Sequence, residues 1–260
     1  MEFWQRKIDL MVGGKSFNGD DFTINFEVPF STTSNTDMSE IEIYNLSKDS
    51  IAAIEKGSPA LLNVGYKGDI GNILAGKVEM VDTEWNGLDK ITTITISDGG
   101  LEFKAARIQK TYQAGSDSKY IMQDLAGMLG LEVVEIEPVN NVTYQLGKTV
   151  SGAIKAILEQ LVEDTDSKMY VNKGKLYIRE DKKGTETGFI LSSDSGLIGS
   201  PEVMEDEGGT KYNVRCLLNH KISSDSTIEI DSRTIKGQFR VTEGKHIASE
   251  SEFMTELEVV

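Results

Sequence analysis

Along most of this chain apolar and polar residues alternate, the period of strands with one buried face. The most organised stretch runs from Met38 to Val78. Over Met38–Leu46, Ile41 and Ile43, continued by Leu46, oppose Glu40, Glu42 and Tyr44, which predicts a half-buried strand. Ser47 then reads as a helix N-cap, with Asp49 and Ser50 in the first turn and Ile51, Ala52 and Ile54 on one face. Gly57 and Pro59 are expected to end this helix, giving it the span Ser47–Lys56. A strand over Leu61–Tyr66 runs into the glycine-rich turn YKGDIG, and Ile73–Val78 pairs back.

The same pattern extends to either side. Lys7–Val12 leads to a turn at Gly13-Gly14-Lys15, and Asp21–Phe30 sets Phe22, Ile24, Phe26 and Val28 against Thr23, Asn25 and Glu27. Val78–Trp85 and Ile91–Ser97 flank Asn86-Gly87, a hairpin signal. About seven strands and one short helix precede residue 98, enough for a small barrel or sandwich.

At Asp98-Gly99-Gly100 the texture changes. Leu101–Gln113 reads as a connector. From Asp117 the period is helical through Tyr120, Ile121, Leu125, Met128 and Leu129, closed by Gly130. Strands are expected at Glu132–Ile136 and Val142–Gln145. A second helix, capped by Thr149 or Ser151, carries Val150, Ile154, Ile157, Leu158 and Leu161 on one face. Lys168–Val171 and Lys175–Ile178 flank the tight turn Asn172-Lys173-Gly174. Beyond residue 188 strands return at Phe189–Leu191, Pro201–Glu205, Lys211–Asn219, Ile228–Asp231, Gln238–Thr242 and Glu252–Val259. The expected organisation is therefore a β-rich α+β chain: a first β-barrel over 1–100, an α+β middle domain over 101–187, and a second β-barrel over 188–260 able to share strands with the first.

Composition narrows the function. The formal charge is −15, from 42 acidic and 27 basic residues. It is spread unevenly: −8 over residues 1–100, −1 over 101–187 and −6 over 188–260. A nucleic-acid reader needs a basic footprint for phosphates, and none is present, so sequence-specific nucleic acid binding is not expected. The single cysteine, Cys216, sits in the apolar run Val214–Leu218 and precludes an internal disulfide, which fits a reducing compartment. No stretch approaches ~18 consecutive apolar residues and the N-terminus lacks a signal-like apolar core, so neither secretion nor stable membrane anchoring is expected.

No constellation of residues points to chemistry. Gly147-Lys148-Thr149 lacks the earlier glycine of a phosphate-binding loop, since position 142 is Val, and reads as helix-start chemistry. Cys216 and His220 share a strand face by spacing, but with His246 they are the only Cys and His residues, too few for a zinc site. The acidic runs Glu205-Asp206-Glu207 and Glu163-Asp164-Thr165-Asp166 lack the EF-hand pattern and read as solvated turns. There is no G-x-S-x-G elbow. Phe3, Trp4, Phe22, Phe26, Phe30, Tyr44, Tyr66 and Trp85 fall at strand spacing and read as core or interface, with Trp4 expected to pack on another subunit. No catalytic, cofactor-binding or metal residue is assigned, and no enzyme is expected.

The segment IEIYNLSKDSIAAIEKGSPALLNVGYKGDIGNILAGKV resembles the N-terminal part of phage tail baseplate hub proteins. The carrying residues are the tripeptide Tyr44-Asn45-Leu46 at a strand end before a short helix, and Gly65-Tyr66-Lys67-Gly68 at the following turn. Lys175–Asp181 resembles that family's middle domain, and Gly209–Ile222 with Gly237–Val260 its closing barrel. The Gly-Asp of the family's late segment stands here as Glu243-Gly244-Lys245-His246. The resemblance implies a homotrimer in which two tube-protein-like barrels per subunit build a pseudo-six-fold ring. The implied partners are a tail tube or distal tail protein, a spike or tip protein and the tape-measure protein. The implied location is the virion baseplate, after assembly in the bacterial cytoplasm. The helix after Ser47 would then lie where subunits or the tube ring meet, and acidic barrel residues along the lumen would repel passing DNA. A receptor-binding or adhesion component, and a cell-wall hydrolase, are the competing readings.

Overall fold

The computed structural model describes residues 5–33, 37–98, 105–181, 183–206 and 209–260. It is a β-rich α+β protein: two β-barrels with a small α+β unit inserted in sequence between them. The chain divides into two compact units. One comprises Met1–Ser31, Asp37–Ser97 and Gly184–Val260, the other Thr32–Thr36 and Asp98–Lys183.

The first unit opens with β1 (Arg6–Val12), β2 (Lys15–Asn18), β3 (Ile24–Ser31), β4 (Met38–Tyr44), α1 (Lys48–Ala52), β5 (Pro59–Tyr66), β6 (Asp69–Asn86) and β7 (Asp89–Ser97). It closes with β15 (Thr185–Ser192), a 3-10 turn, β16 (Leu197–Asp206), β17 (Gly209–Leu217), β18 (Ser226–Asp231), β19 (Lys236–Ala248) and β20 (Phe253–Val259). These strands form one continuous sheet in the order β16-β17-β20-β19-β3-β4-β7-β6-β5-β1-β2, with β18 pairing β19 and β15 pairing β18.

That sheet encloses two separate cores. Leu10, Ile41, Ile43, Leu62, Val64, Ile94 and Ile96 centre the first. Leu191, Val214, Cys216, Ile228, Ile230, Val241 and Val259 centre the second. Three strands serve both, and the exit of a fourth leads from one to the other. Along β3, Ile24, Phe26 and Val28 face the first core and Phe30 the second. On β19 the division falls between Val241 and Ala248, and on β20 between Phe253 and Leu257. β17 gives Val214 and Cys216 to the second core, and Leu218 just beyond it reaches the first. Strict alternation keeps a strand's apolar face in register along its length, so one strand can pass from one core to the next without reversing its pleat.

In the second unit β8 (Arg107–Tyr112) pairs β12 (Lys148–Ala153), and β9 (Ser116–Asp117) pairs β11 (Thr143–Tyr144). β10 (Glu132–Ile136), β14 (Lys175–Arg179) and β13 (Lys168–Asn172) make a three-stranded sheet. α2 (Ser118–Ala126) and α3 (Ile154–Asp164) pack with it around Ile121, Met122, Leu125, Leu158, Leu161, Leu176 and Ile178. The β13–β14 turn has Lys173 and Gly174 both at positive φ, 53° and 74°, the geometry expected of a two-residue hairpin.

Several elements differ from the sequence expectation. Ser47 does cap α1, its hydroxyl accepting the Ser50 N–H at 3.1 Å, but the helix is five residues long and Ala52 is exposed. It ends early because Gly57 N–H donates to Val78 O, drawing the chain into the sheet before Pro59. Ile73–Val78 and Val78–Trp85 are one 18-residue strand. Lys15–Asn18 and Arg107–Tyr112 are strands rather than turn and connector. Thr149 and Ser151 lie in β12, so neither caps α3, whose N-cap is Ala153 without a side-chain bond. In α2 the buried stripe is Ser118, Ile121, Met122, Leu125 and Ala126, followed by Leu129, whereas Tyr120 and Met128 are exposed. Met122 and Ala126 rotate the stripe away from the face that Tyr120 suggests.

Candidate assembly surface

The strand end Tyr44-Asn45-Leu46 is built around a left-handed residue. Asn45 has φ of 59°, a conformation Asn tolerates better than other side-chain-bearing residues. Leu46 is thereby turned into the first core, and Asn45 faces the β6–β7 hairpin. Asn45 N–H donates to Lys90 O at 2.7 Å, Asn45 Oδ1 accepts Lys90 N–H at 2.9 Å, and Asn45 Nδ2 donates to Asp89 Oδ1 at 2.8 Å. Three bonds to two consecutive residues hold the β7 side of the hairpin beside its turn, one residue past the end of β4.

The β6 side of the hairpin tip is open. β5 covers β6 only as far as Lys77, and the Gly57–Val78 and Ser58–Val78 backbone bonds finish that edge. From Met80 to Asn86, β6 pairs with β7 alone. Register places Val81, Thr83 and Trp85 on one face, opposite Ile94, Thr92 and Lys90. This is the core-facing row, and its burial falls along the strand until Trp85 is 72% exposed, with Leu88 in the turn 96% exposed. The other face carries Met80, 59% exposed, with Asp82 and Glu84, joined across the turn by Asp89.

At the far end of β6 the hairpin is held differently. Asp69 accepts from His220 Nε2 at 3.0 Å and Lys221 Nζ at 3.1 Å. The hydrogen bond from His220, with Lys221 adding to it, holds the Asp69 carboxyl below the usual range. Gly71 makes room for that ring, because a methyl there would overlap the His220 imidazole. The pair ties the first barrel's β5–β6 turn to the loop after β17.

A groove of about 540 Å3 opens over the strands shared by the two cores. Its floor is apolar, from Phe30, Val214 and Leu257, and its walls carry Asp37, Glu202 and Glu243 beside Arg215 and Lys245. Arg215 pairs Glu256 at 3.1 Å, and Lys245 pairs Glu27 at 3.2 Å. Burial pushes the Asp37 carboxyl above the usual range against bonds from Ser31 N–H and Oγ, and Glu243 pushes the same way. Gly244 is among the groove's lining residues, and a methyl there would overlap the Glu256 carbonyl oxygen and the Phe30 ring.

The residues weighed for chemistry are dispersed. Cys216 is buried in β17, its thiol pushed up to about 12 by burial, while β17 ends at Leu217 and His220 lies in the following turn, so the two share no face. His246 is fully buried, its Nδ1 2.8 Å from Thr255 Oγ1 and its ring against Phe30. Among the described residues no group of His, Cys, Asp and Glu could hold a metal ion. Asp164 pairs Lys148 at 3.2 Å and Asp166 accepts from Asn140 at 2.7 Å, so this acidic run supports local structure. Phe26, Phe30 and Tyr66 are core, Phe22 and Tyr44 are half-buried, and Trp85 departs from the core pattern. Phe3 and Trp4 lie outside the described residues. Among the described residues no helix is long and apolar enough to cross a membrane. The open edge at Met80–Asn86 escapes a sequence reading, because strand patterning does not say which neighbour stops short.

A family model described as baseplate hub gp41 matches residues 23–243. No curated protein matches by sequence. Among solved structures, the 43 kDa tail protein of prophage MuSo2 from Shewanella oneidensis superposes with a TM-score of 0.71 at 12% identity, covering 98% of each chain. The tail protein from Neisseria meningitidis MC58 gives 0.70 at 10%, covering 98% of this chain and 96% of that one. The E. coli c3393 protein gives 0.71 at 8%, covering 96% and 76%. It is described as a component of the type VI secretion system with structural similarity to the T4 bacteriophage tail proteins gp27 and gp5. At these identities the likeness is one of fold.

Proposed function

The chain belongs to the baseplate hub gp41 family, and from that premise we propose that it is a homotrimeric hub joining the tail tube to the central spike or tip. Its role is structural, in the phage tail baseplate. Each subunit brings two barrels, so three subunits present six to a six-fold tube while keeping three-fold symmetry for a spike below. The observation that carries this reading is the sharing of β3, β19 and β20 between two cores. Shared strands couple the barrels through main-chain hydrogen bonds, and a fixed spacing is what two neighbouring positions of one ring require. The similarity of the E. coli type VI secretion component to tail proteins supports spike-side and tube-side partners of this kind. In this reading residues 1–100 and 188–260 are the two barrels and 101–187 a middle domain, the ring continues the tail lumen, and the subunit is assembled in the bacterial cytoplasm before entering the virion.

Mass photometry and electron microscopy of the purified chain, alone and with the co-encoded tube protein, test it. Three-fold rings with six barrel-sized densities are expected. A chain that stays monomeric at every concentration and with the tube protein present defeats the proposal.

A further inference from the structure

We propose that the open β6 edge, Met80–Asn86, receives a strand of a different tail protein, one whose side chains alternate between apolar and Lys or Arg. The inference rests on the hub reading and assigns it a surface. A strand edge without a neighbour exposes backbone donors and acceptors that another strand can satisfy, and this one extends for seven residues, roughly 23 Å; within it the Thr83 N–H is held by Asp82 Oδ1 at 2.9 Å, a bond an incoming strand would replace. The two faces differ in chemistry. Val81 and Trp85, with Thr83 between them turned to the Thr92 hydroxyl, offer a mainly apolar row, and Asp82 and Glu84, beside Met80 and with Asp89 across the turn, offer an acidic one. Because successive side chains of an added strand point to opposite faces, a partner meeting both rows reads apolar, basic, apolar, basic. Trp85 at the tip supplies the kind of large aromatic anchor that dominates interface energies. Asn45 pre-orders the β7 side of the hairpin tip, opposite Trp85, so little is lost in ordering it on docking.

Charge argues against a second copy of this chain as the occupant. Among the described residues, the other free edges of the large sheet are β2, β15 and β16. β2 is four residues long. β15 carries Glu186 and β16 carries Glu202 and Glu205, which would face Asp82 and Glu84 with like charge.

The test uses Trp85 as its own reporter. With Trp4→Phe, Trp85 is the one remaining tryptophan of two. Purified co-encoded tube and spike proteins are titrated in turn into this variant. Expected is a complex with one of them that shifts Trp85 emission to the blue and weakens as salt is raised. Trp85→Ala, and separately Asp82→Lys with Glu84→Lys, are each expected to weaken it about tenfold or more, with far-ultraviolet circular dichroism unchanged because all three side chains are exposed. A complex that leaves Trp85 emission unchanged and ignores both variants overturns the inference and spares the hub reading. A blue shift on concentrating this chain alone overturns it in favour of self-association. No complex with either protein overturns the inference, and the hub reading falls with it only if the chain also stays monomeric at every concentration.

Discussion

Asn45 and Asp89, forty-four positions apart, are joined by a 2.8 Å hydrogen bond that anchors the β6–β7 hairpin to the end of β4. The same side chain accepts the Lys90 N–H at 2.9 Å, and its left-handed backbone aims it there. Asn45→Ala removes both side-chain bonds and places alanine at φ of 59°, so a loss of about 2–3 kcal/mol is expected in urea unfolding. Asn45→Gly, relieved of the backbone penalty, is expected to lose less. An alanine variant as stable as the parent removes the hairpin clamp from the account.

Gly71 and His220 form a second long-range dependence. Gly71→Ala drives a methyl into the imidazole that bonds Asp69, and a cost of about 1–3 kcal/mol is expected. Deleting the ring should relieve the clash, so Gly71→Ala with His220→Ala should lose less than the sum of the two single changes. Simple additivity in thermal melts contradicts the steric link.

Gly244→Ala is expected to be the more damaging glycine change. The added methyl meets the Glu256 carbonyl oxygen, which is part of the β19–β20 ladder, as well as the Phe30 ring. Backbone cannot rotate aside as a side chain does, so about 3 kcal/mol or more is expected, read as a lowered melting midpoint or loss of soluble protein. A midpoint within a degree or two of the parent shows that β19 has slack.

Asp69 makes stability sensitive to acid. Its pKa is lowered by the His220 hydrogen bond and by Lys221, so its contribution is present above the unfolded carboxylate value and fades as pH falls through the lower folded one. Melting midpoints of the parent and of Asp69→Asn, followed from pH 7 to pH 3, should differ most at the upper end and converge toward the lower. A gap that stays constant to pH 3 means that the bonds, not the charge, hold the turn.

The chain's local chemistry was legible from the alternation of its residues. The Ser47 cap, the Asn172-Lys173-Gly174 turn and the two helices of the inserted unit depend on neighbours within a few positions, whereas the count of seven strands before residue 98 agrees only because two expected strands are one in β6 and β2 is added. The resemblance carried by Tyr44-Asn45-Leu46 is equally local, and it agrees with the baseplate hub match. Helix length and phase were less legible, because the pull of Gly57 toward Val78 and the burial of Met122 are set by partners distant in sequence.

Only the tertiary structure decided how the strands are used. Alternation says that a strand has a buried face, not that β3, β19 and β20 divide theirs between two cores. It marks Trp85 as a core position by parity, and parity is right about the face. What leaves that face in solvent is that β5 stops at Pro59 opposite Lys77, while β6 continues for nine more residues to Asn86. Burial is a property of what lies across a strand, and no residue's own identity specifies where its neighbour ends.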